Sequence, residues 1–165
     1  RAPGETALDE VFGLIPDAYA RFREFYGSLW TDGDLDPALL ELARLRIAQV
    51  VGATGEARVR FGAGEAGPTA AQIAALSRWP SAPEFSPVER AAIGFAEQYA
   101  LDPHELRDRE FDALREHLTA PQISAFVLCV AMFDALARFR TALGADPDDE
   151  IIDAPIPSPT AGSLP

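Results

Sequence analysis

The sequence predicts an all-α protein of about six to eight helices around a central αα-hairpin. Apolar residues between Pro37 and Val51 recur at spacings of three and four, which is the period of a helix. Capping residues precede several other apolar stretches, as they do at helix starts. No segment alternates between apolar and polar residues over a useful length, and the chain has no internal repeat. These observations favour helices over a sheet.

The N-terminal part predicts two helices separated by a proline. We expect helices over Leu8–Ile15 and Asp17–Trp30, because Pro16 interrupts a helical pattern at that point. The second helix carries a stripe of large apolar residues at helical spacing. Its members are Tyr19, Phe22, Phe25, Tyr26 and Leu29. Packing in the core is the expected role of this stripe, and lining a pocket is the alternative.

The central hairpin is predicted from residue 37 onwards. Asp36 is a suitable N-cap, and Pro37 occupies the first helical position, where proline is favoured. After a glycine-containing turn, a second helix would carry one face of functional residues at spacings of three, four and seven. That face comprises Ala53, Glu56, Ala57 and Arg60. The hairpin would therefore present Glu56 and Arg60 together with Glu41 of the first helix.

Four more helices complete the prediction. Ser86 and Glu89 form a capping-box pattern, and Gly144 is placed to end the last helix. The predicted helices span residues 70–77, 87–100, 108–118 and 121–143.

One domain, residues 1–145, accounts for these helices. The chain has 165 residues, enough to bury a sizeable core, and its 48% of hydrophobic residues argues against disorder. Residues 146–165 differ in composition, because an acidic run precedes four prolines. We expect this tail to pack on its own domain or on a neighbouring subunit. Its apolar anchors would be Ile151, Ile152, Ile156 and Leu164.

The charge balance restricts the partners. A net charge of −12 argues against nucleic acid and against an anionic membrane surface. All fourteen basic residues are Arg, so a lysine Schiff base and a lysine-bound pyridoxal cofactor are excluded from this chain. No apolar run reaches about 18 residues, and no leader pattern opens the sequence. We therefore expect no membrane segment and a cytoplasmic location.

Metal and thiol chemistry have little support in the sequence. His104 and His117 have no metal-ligand spacing with each other or with Cys129, and we expect both histidines on the surface. Cys129 lies in the apolar stretch FVLCVAMF, which predicts a buried thiol. In the same helix, Asp134 precedes Arg138 by four residues, which predicts a buried or half-buried ion pair. No cofactor and no metal are expected.

The string ELARLRIAQVVG at residues 41–52 and the order of the helices resemble the carboxymuconolactone decarboxylase and AhpD-like alkylhydroperoxidase family. The resemblance covers roughly residues 10–145. In the peroxidase branch the first hairpin helix carries a glutamate. The next helix carries a Cys-x-x-Cys and a His four residues beyond the second Cys. The resemblance implies the helical fold of that family for this chain.

This chain departs from the peroxidase pattern at three of its four positions. Glu41 falls on the glutamate position, whereas Ala53 and Glu56 occupy the two cysteine positions. Arg60 occupies the histidine position. A thiol peroxidase needs a thiolate, and this motif supplies none. The resemblance therefore implies a family member without thiol chemistry at the hairpin.

Three functions follow as hypotheses. The first is a lyase-like enzyme that decarboxylates or isomerises a small organic acid without a cofactor. Glu41 and Glu56 would be its catalytic acid and base, and Arg60 would bind the substrate carboxylate. The second is a non-catalytic family member that acts as a binding or assembly protein. The third, a peroxidase that uses Cys129, is disfavoured because that thiol has no resolving partner.

Structural roles compete with the catalytic ones at each residue. Glu41 can form an intrahelical ion pair with Arg44, and Glu56 can form a surface salt bridge with Arg60. The enzyme hypothesis requires that Glu41, Glu56 and Arg60 line a closed pocket. The resemblance also implies a homo-oligomer, a dimer, trimer or hexamer, with sites at or near subunit contacts.

Overall fold

The structure is a computed structural model, which describes residues 11–62, 66–144 and 151–159. It is a helical domain, so the all-α prediction is confirmed. In chain order the helices are α1 (Pro16–Thr31), α2 (Pro37–Val51), α3 (Thr54–Arg58), α4 (Ala70–Ala75), α5 (Pro87–Leu101), α6 (Asp108–Arg115) and α7 (Ala120–Leu143). Short 3₁₀ turns cover Leu76–Arg78 and Pro103–Glu105. Two strands, β1 (Val59–Phe61) and β2 (Ile152–Ala154), pair in parallel.

Helix α2 lies at the centre of the domain. It packs against α5 and α7, and residues on all of its sides are buried. A helix that is apolar on all sides is expected inside a protein rather than at its surface. Two of its buried residues, Glu41 and Arg44, are charged. The glutamate predicted to be catalytic and its neighbour Arg44 are therefore inside the core.

The predicted helix starts agree closely with the structure. The Asp36 side chain accepts a hydrogen bond from the Ala38 N–H at 2.9 Å. Ser86 forms the expected capping box with Glu89, and Gly144 ends α7 with a φ of 60°. Glycine tolerates this left-handed conformation without a steric penalty. The predicted helix over 8–15 lies partly outside the described residues.

The second helix of the hairpin is shorter than predicted. Helix α3 ends at Arg58, and the next three residues form β1. Strand β1 pairs with β2, and this long-range pairing, together with the β-branched Val59, overrides the helical pattern. Arg60 therefore lies on a strand and does not share a helix face with Glu56. The helix predicted over 108–118 also ends early, at Arg115.

Aromatic side chains fill the space between α1, β1 and α7. The Trp30 ring lies 5.1 Å from the Phe61 ring and 5.4 Å from the Phe133 ring, measured between centroids. Tyr26 contacts Phe133 edge to face at 6.3 Å. Core packing is confirmed for most of the predicted stripe, but Phe25 is exposed. These rings form one wall around the charged residues of α2.

The described part of the tail packs on its own chain. Strand β2 pairs with β1 so that Ile152, Asp153 and Ala154 face Val59, Arg60 and Phe61. Ile156 packs against the main core, as expected of an anchor. Ile151 is exposed, so its predicted anchoring role is wrong. Leu164 lies outside the described residues.

Helix α7 is unusually apolar. Among the described residues it is the one helix long and apolar enough to cross a membrane, with a mean hydropathy of 1.7 over its most apolar window. The core helix of a soluble domain meets the same criterion, and α7 places Phe126, Cys129 and Phe133 in the core. Only 28% of that window is buried, so much of the helix faces outward. The absence of a membrane segment and the cytoplasmic location stay predictions.

Candidate functional site

Arg44 is the centre of a buried ion cluster that we call the Arg44 cluster; its members are Glu41, Arg44, Glu56 and Arg140. Their exposed fractions are 1%, 1%, 4% and 6%. A guanidinium has five N–H donors, and here each has an acceptor. Nε and Nη2 reach the two oxygens of Glu41, each at 2.7 Å. Nη1 reaches Glu56 Oε1 at 2.5 Å.

The remaining two donor contacts of Arg44 go to the main chain. Nη1 donates to the Glu56 carbonyl at 3.0 Å, and Nη2 donates to the Val59 carbonyl at 2.6 Å. The Phe61 ring covers one face of the guanidinium, with its centroid 4.7 Å from Cζ. Helix α3 and strand β1 are thus both held to α2 by one side chain.

Glu41 is held by three hydrogen bonds. Beside the two from Arg44, Oε1 accepts one from the Phe61 N–H at 3.0 Å. The intrahelical pair with Arg44, one of the two predicted alternatives, is present, and it is buried. Burial raises the pKa of Glu41, although Arg44 and the Phe61 N–H act in the opposite direction.

Glu56 lies between two arginines. Its Oε1 accepts a hydrogen bond from Arg44. Its Oε2 forms an ion pair with Arg140 Nε at 2.9 Å, but the N–H of that nitrogen is not directed at the oxygen as a hydrogen bond requires. Burial raises the pKa of Glu56, but Arg44 and Arg140 outweigh burial and hold that pKa below its usual value. Among the described residues Glu56 forms no ion pair with Arg60, so the predicted surface salt bridge is wrong.

Arg140 was not predicted from the sequence. It lies in the last turn of α7, on the same helix face as the buried residues Phe133 and Ala137. An arginine at i+3 and i+7 from buried residues is the pattern that would have indicated it. With Arg140 included, the cluster has two carboxylates and two guanidiniums, so its formal charges balance. A buried charge is tolerated when it is paired in this way.

Arg60 lies apart from this arrangement. It is half-buried on β1 between two buried residues, and alternation along a strand directs its side chain away from theirs. Its Nη1 donates to the Val59 carbonyl at 3.2 Å, and Asp153 faces it across the strand pair. Burial and the charge of Arg44 lower the pKa of Arg60. The structure therefore brings Glu41 and Glu56 together through Arg44, with Arg60 at the edge.

The sulfur chemistry of the peroxidase pattern is missing from the hairpin. Ala53, at the first cysteine position, is buried and precedes α3 as its N-cap. Cys129 is fully buried in α7, and its Sγ donates to the Leu29 carbonyl at 3.3 Å. Burial raises the pKa of the Cys129 thiol to about 12. Its reactive thiolate form is therefore strongly disfavoured at neutral pH.

Other predicted polar features have ordinary surroundings. Asp134 pairs with Arg138 at 2.9 Å, and more than half of the arginine side chain is exposed. His104 and His117 are exposed, as predicted. Across residues 11–62, 66–144 and 151–159, no group of three or more His, Cys, Asp or Glu side chains is arranged to hold a metal ion.

Two surface pockets lie away from the Arg44 cluster. One, of about 420 Å³, is lined by the starts of α2, α5 and α7, including Leu39 and Gln122. The other, of about 320 Å³, lies beside Trp79 and α5. Neither pocket is lined by Glu41, Glu56 or Arg60.

A central helix that carries a buried glutamate, followed by a short helix that returns a second side chain to it, defines a helical domain of the AhpD-like type. The sequence model of the carboxymuconolactone decarboxylase family matches residues 16–98, half of the chain. The chain belongs to the carboxymuconolactone decarboxylase family. No curated protein matches the chain.

The fold also agrees with a solved structure. The crystal structure of the alkylhydroperoxidase AhpD core of an uncharacterized peroxidase-related protein from Ralstonia eutropha JMP134 superimposes with a TM-score of 0.68. The match covers 90% of this chain and 80% of that one, at 19% sequence identity. This similarity shows a shared fold.

Proposed function

We propose that this protein is a non-catalytic member of its family that acts as a binding or assembly protein. In this protein, the residues at the place of the family's reaction centre hold the fold together. A general acid or base must come within hydrogen-bond reach of its substrate. Here Glu41 and Glu56 are buried and already accept hydrogen bonds from Arg44. A lone thiol with a strongly raised pKa likewise argues against peroxidase chemistry.

The observation that carries this proposal is the saturation of Arg44. All five of its N–H donors are used within the protein, at distances of 2.5–3.0 Å. Arg44 therefore has no donor left for a substrate, and it occupies the carboxylates of Glu41 and Glu56 that would have to transfer protons. The arrangement instead connects α2, α3 and β1. Its chemistry is that of a structural ion pair, in which each charge is neutralised by a partner.

An exposed apolar face on α7 supports assembly. Leu128, Ala135 and Phe139 lie at spacings of seven and four, which places them on one side of the helix. The exposed fractions of Leu128 and Phe139 are 46% and 37%. We propose that this face packs against a second copy of the chain, because apolar surface on so apolar a helix gains from burial. The resulting particle would be a homo-oligomer, the state that the resemblance also implies.

The test is the solution mass of the full-length protein by light scattering. We expect a multiple of the monomer mass for the wild type. Leu128→Glu should shift the mass toward that of the monomer and raise the dissociation constant at least about tenfold, since a carboxylate would be buried in an apolar contact. Leu101→Glu is the matched control, because Leu101 is exposed at the end of α5. A monomeric wild type would contradict the assembly function.

A second candidate is acid–base catalysis on a small organic acid. The observation that favours it is the raised pKa of Glu41, which suits a proton-transferring carboxyl, with the half-buried Arg60 nearby. In this reaction Glu41 and Glu56 would transfer protons and Arg60 would bind the substrate carboxylate. The substrate would have to reach carboxylates that are now enclosed.

Proton NMR in deuterated buffer distinguishes the two candidates. Small lactone acids and keto acids are incubated with the wild type, with Glu41→Gln and with the exposed control Glu116→Gln. The non-catalytic proposal predicts neither carboxyl loss nor deuterium uptake with any of the three proteins. Turnover that falls about 100-fold or more in Glu41→Gln alone would establish the enzyme and overturn the proposal. Folding of each variant is checked by circular dichroism.

A further inference from the structure

A groove between α1 and β1 holds residues 151–159 against the body of the domain. On one side, β2 pairs with β1, and the Gly62 N–H donates to the Ala154 carbonyl at 2.9 Å. On the other side, the main chain of Ser158 and Pro159 crosses α1 at Gly27. A Cβ at Gly27 would lie 2.2 Å from the Ser158 carbonyl carbon. The tail therefore contacts both walls of the groove through its backbone.

The helical domain has a glycine at each of two points where residues 151–159 cross its surface. Gly27 lies inside α1 with an ordinary helical backbone, where glycine is less favourable than alanine. The close approach of the tail main chain explains why position 27 has no side chain. Gly62 has a φ of +68°, and a Cβ there would lie 3.0 Å from the Ile156 side chain. The body is thus shaped to accept an extended segment.

The groove lies next to the Arg44 cluster. Strand β1, which forms one wall, supplies the Val59 carbonyl to Arg44 and the Phe61 N–H to Glu41. Pairing with β2 fixes the position of β1 and places Asp153 opposite Arg60. Occupation of the groove is therefore coupled to closure of the cluster.

We propose that the groove between α1 and β1 is a binding site for an extended, proline-containing segment. In this chain its own residues 151–159 fill the groove and act as a strap that keeps the Arg44 cluster closed. The strap has the chemistry that the groove requires: three residues that pair as a strand, then Pro155 and Pro157, which favour an extended backbone. This proposal does not depend on whether the cluster is catalytic.

The test uses the full-length chain carrying Gly27→Ala. If the strap crosses α1 at this residue, the added methyl group clashes with it. We expect the melting temperature to fall by about 5 °C and exchange of the Gly62 amide hydrogen to accelerate about tenfold or more. Ala18→Val is the control, because Ala18 is exposed on the opposite side of α1, and it should leave the Gly62 amide unchanged. A Gly27→Ala protein that melts higher, with unchanged exchange at Gly62, would overturn the proposal.

A change in the strap itself separates release of the strap from damage to α1. Ile156→Asp should also accelerate exchange at Gly62, because the charged side chain can no longer pack against the core. A synthetic peptide of residues 151–159, added in excess to this variant, should restore slow exchange. Restoration would establish the groove as a site that accepts a segment in trans. Exchange that stays fast at saturating peptide would overturn the binding site.

Discussion

Replacing Arg44 with methionine should lower the free energy of unfolding by about 3–5 kcal/mol, as expected when one partner of a buried ion pair is removed. The variant leaves the carboxylates of Glu41 and Glu56 without their shared partner in the core. It also removes the donors to the main chain of α3 and β1. Urea unfolding at neutral pH, followed by circular dichroism, measures the change.

Arg115→Met is the matched control for this prediction. Arg115 pairs with Asp112 at 2.5 Å, but both side chains are more than half exposed. An exposed pair contributes little, so we expect a change within about 0.5 kcal/mol. Equal effects of the two substitutions would show that the Arg44 cluster is not a major source of stability.

Glu56→Gln should destabilise the protein by about 2–3 kcal/mol at neutral pH, the scale of hydrogen bonds to charged groups. Because Arg44 and Arg140 overcome the effect of burial and lower the pKa of Glu56 in the folded protein, its ionised form stabilises the fold. This contribution is complete above the unfolded pKa and is lost as the pH falls through the lower folded pKa. The difference in the free energy of unfolding between the wild type and Glu56→Gln should therefore become smaller in acid.

Unfolding measured from neutral pH down to about pH 3 tests the sign. Glu41 provides the contrast, because burial raises its folded pKa. Ionisation of Glu41 therefore opposes folding. The loss of unfolding free energy caused by Glu41→Gln should become smaller as the pH rises, first through the pKa of Glu41 in the unfolded chain and then through its higher pKa in the folded protein. If the stability loss changed with pH in the same direction for Glu56→Gln and Glu41→Gln, the assignment of opposite pKa shifts would be contradicted.

The features that the sequence predicted well depend on neighbouring residues. Asp36, Ser86 and Gly144 determine helix ends through contacts within a few residues, and those ends agree with the structure. The Glu41–Arg44 pair is also local, since residues three apart meet on one side of a helix. Patterns of this range are visible in a sequence without knowledge of the fold.

The errors arise where distant parts of the chain meet. Helix α3 ends early because β1 pairs with β2, which lies about ninety residues further along the chain. Arg140 reaches Glu56 only because α7 packs beside α3. Local spacing placed Glu56 beside Arg60, whereas tertiary packing directs it to two other arginines. The catalytic roles of Glu41, Glu56 and Arg60 stay predictions.

The pairing of β1 with β2 also determines when the edge of β1 can be covered during synthesis. Strand β1 leaves the ribosome long before β2, which follows the last helix in the sequence. The helices can form from local sequence while translation continues, because domains fold as the nascent chain emerges. The edge of β1 stays unpaired until β2 has been synthesised. We therefore expect a product that stops after α7 to retain the helices and to leave the edge of β1 unpaired.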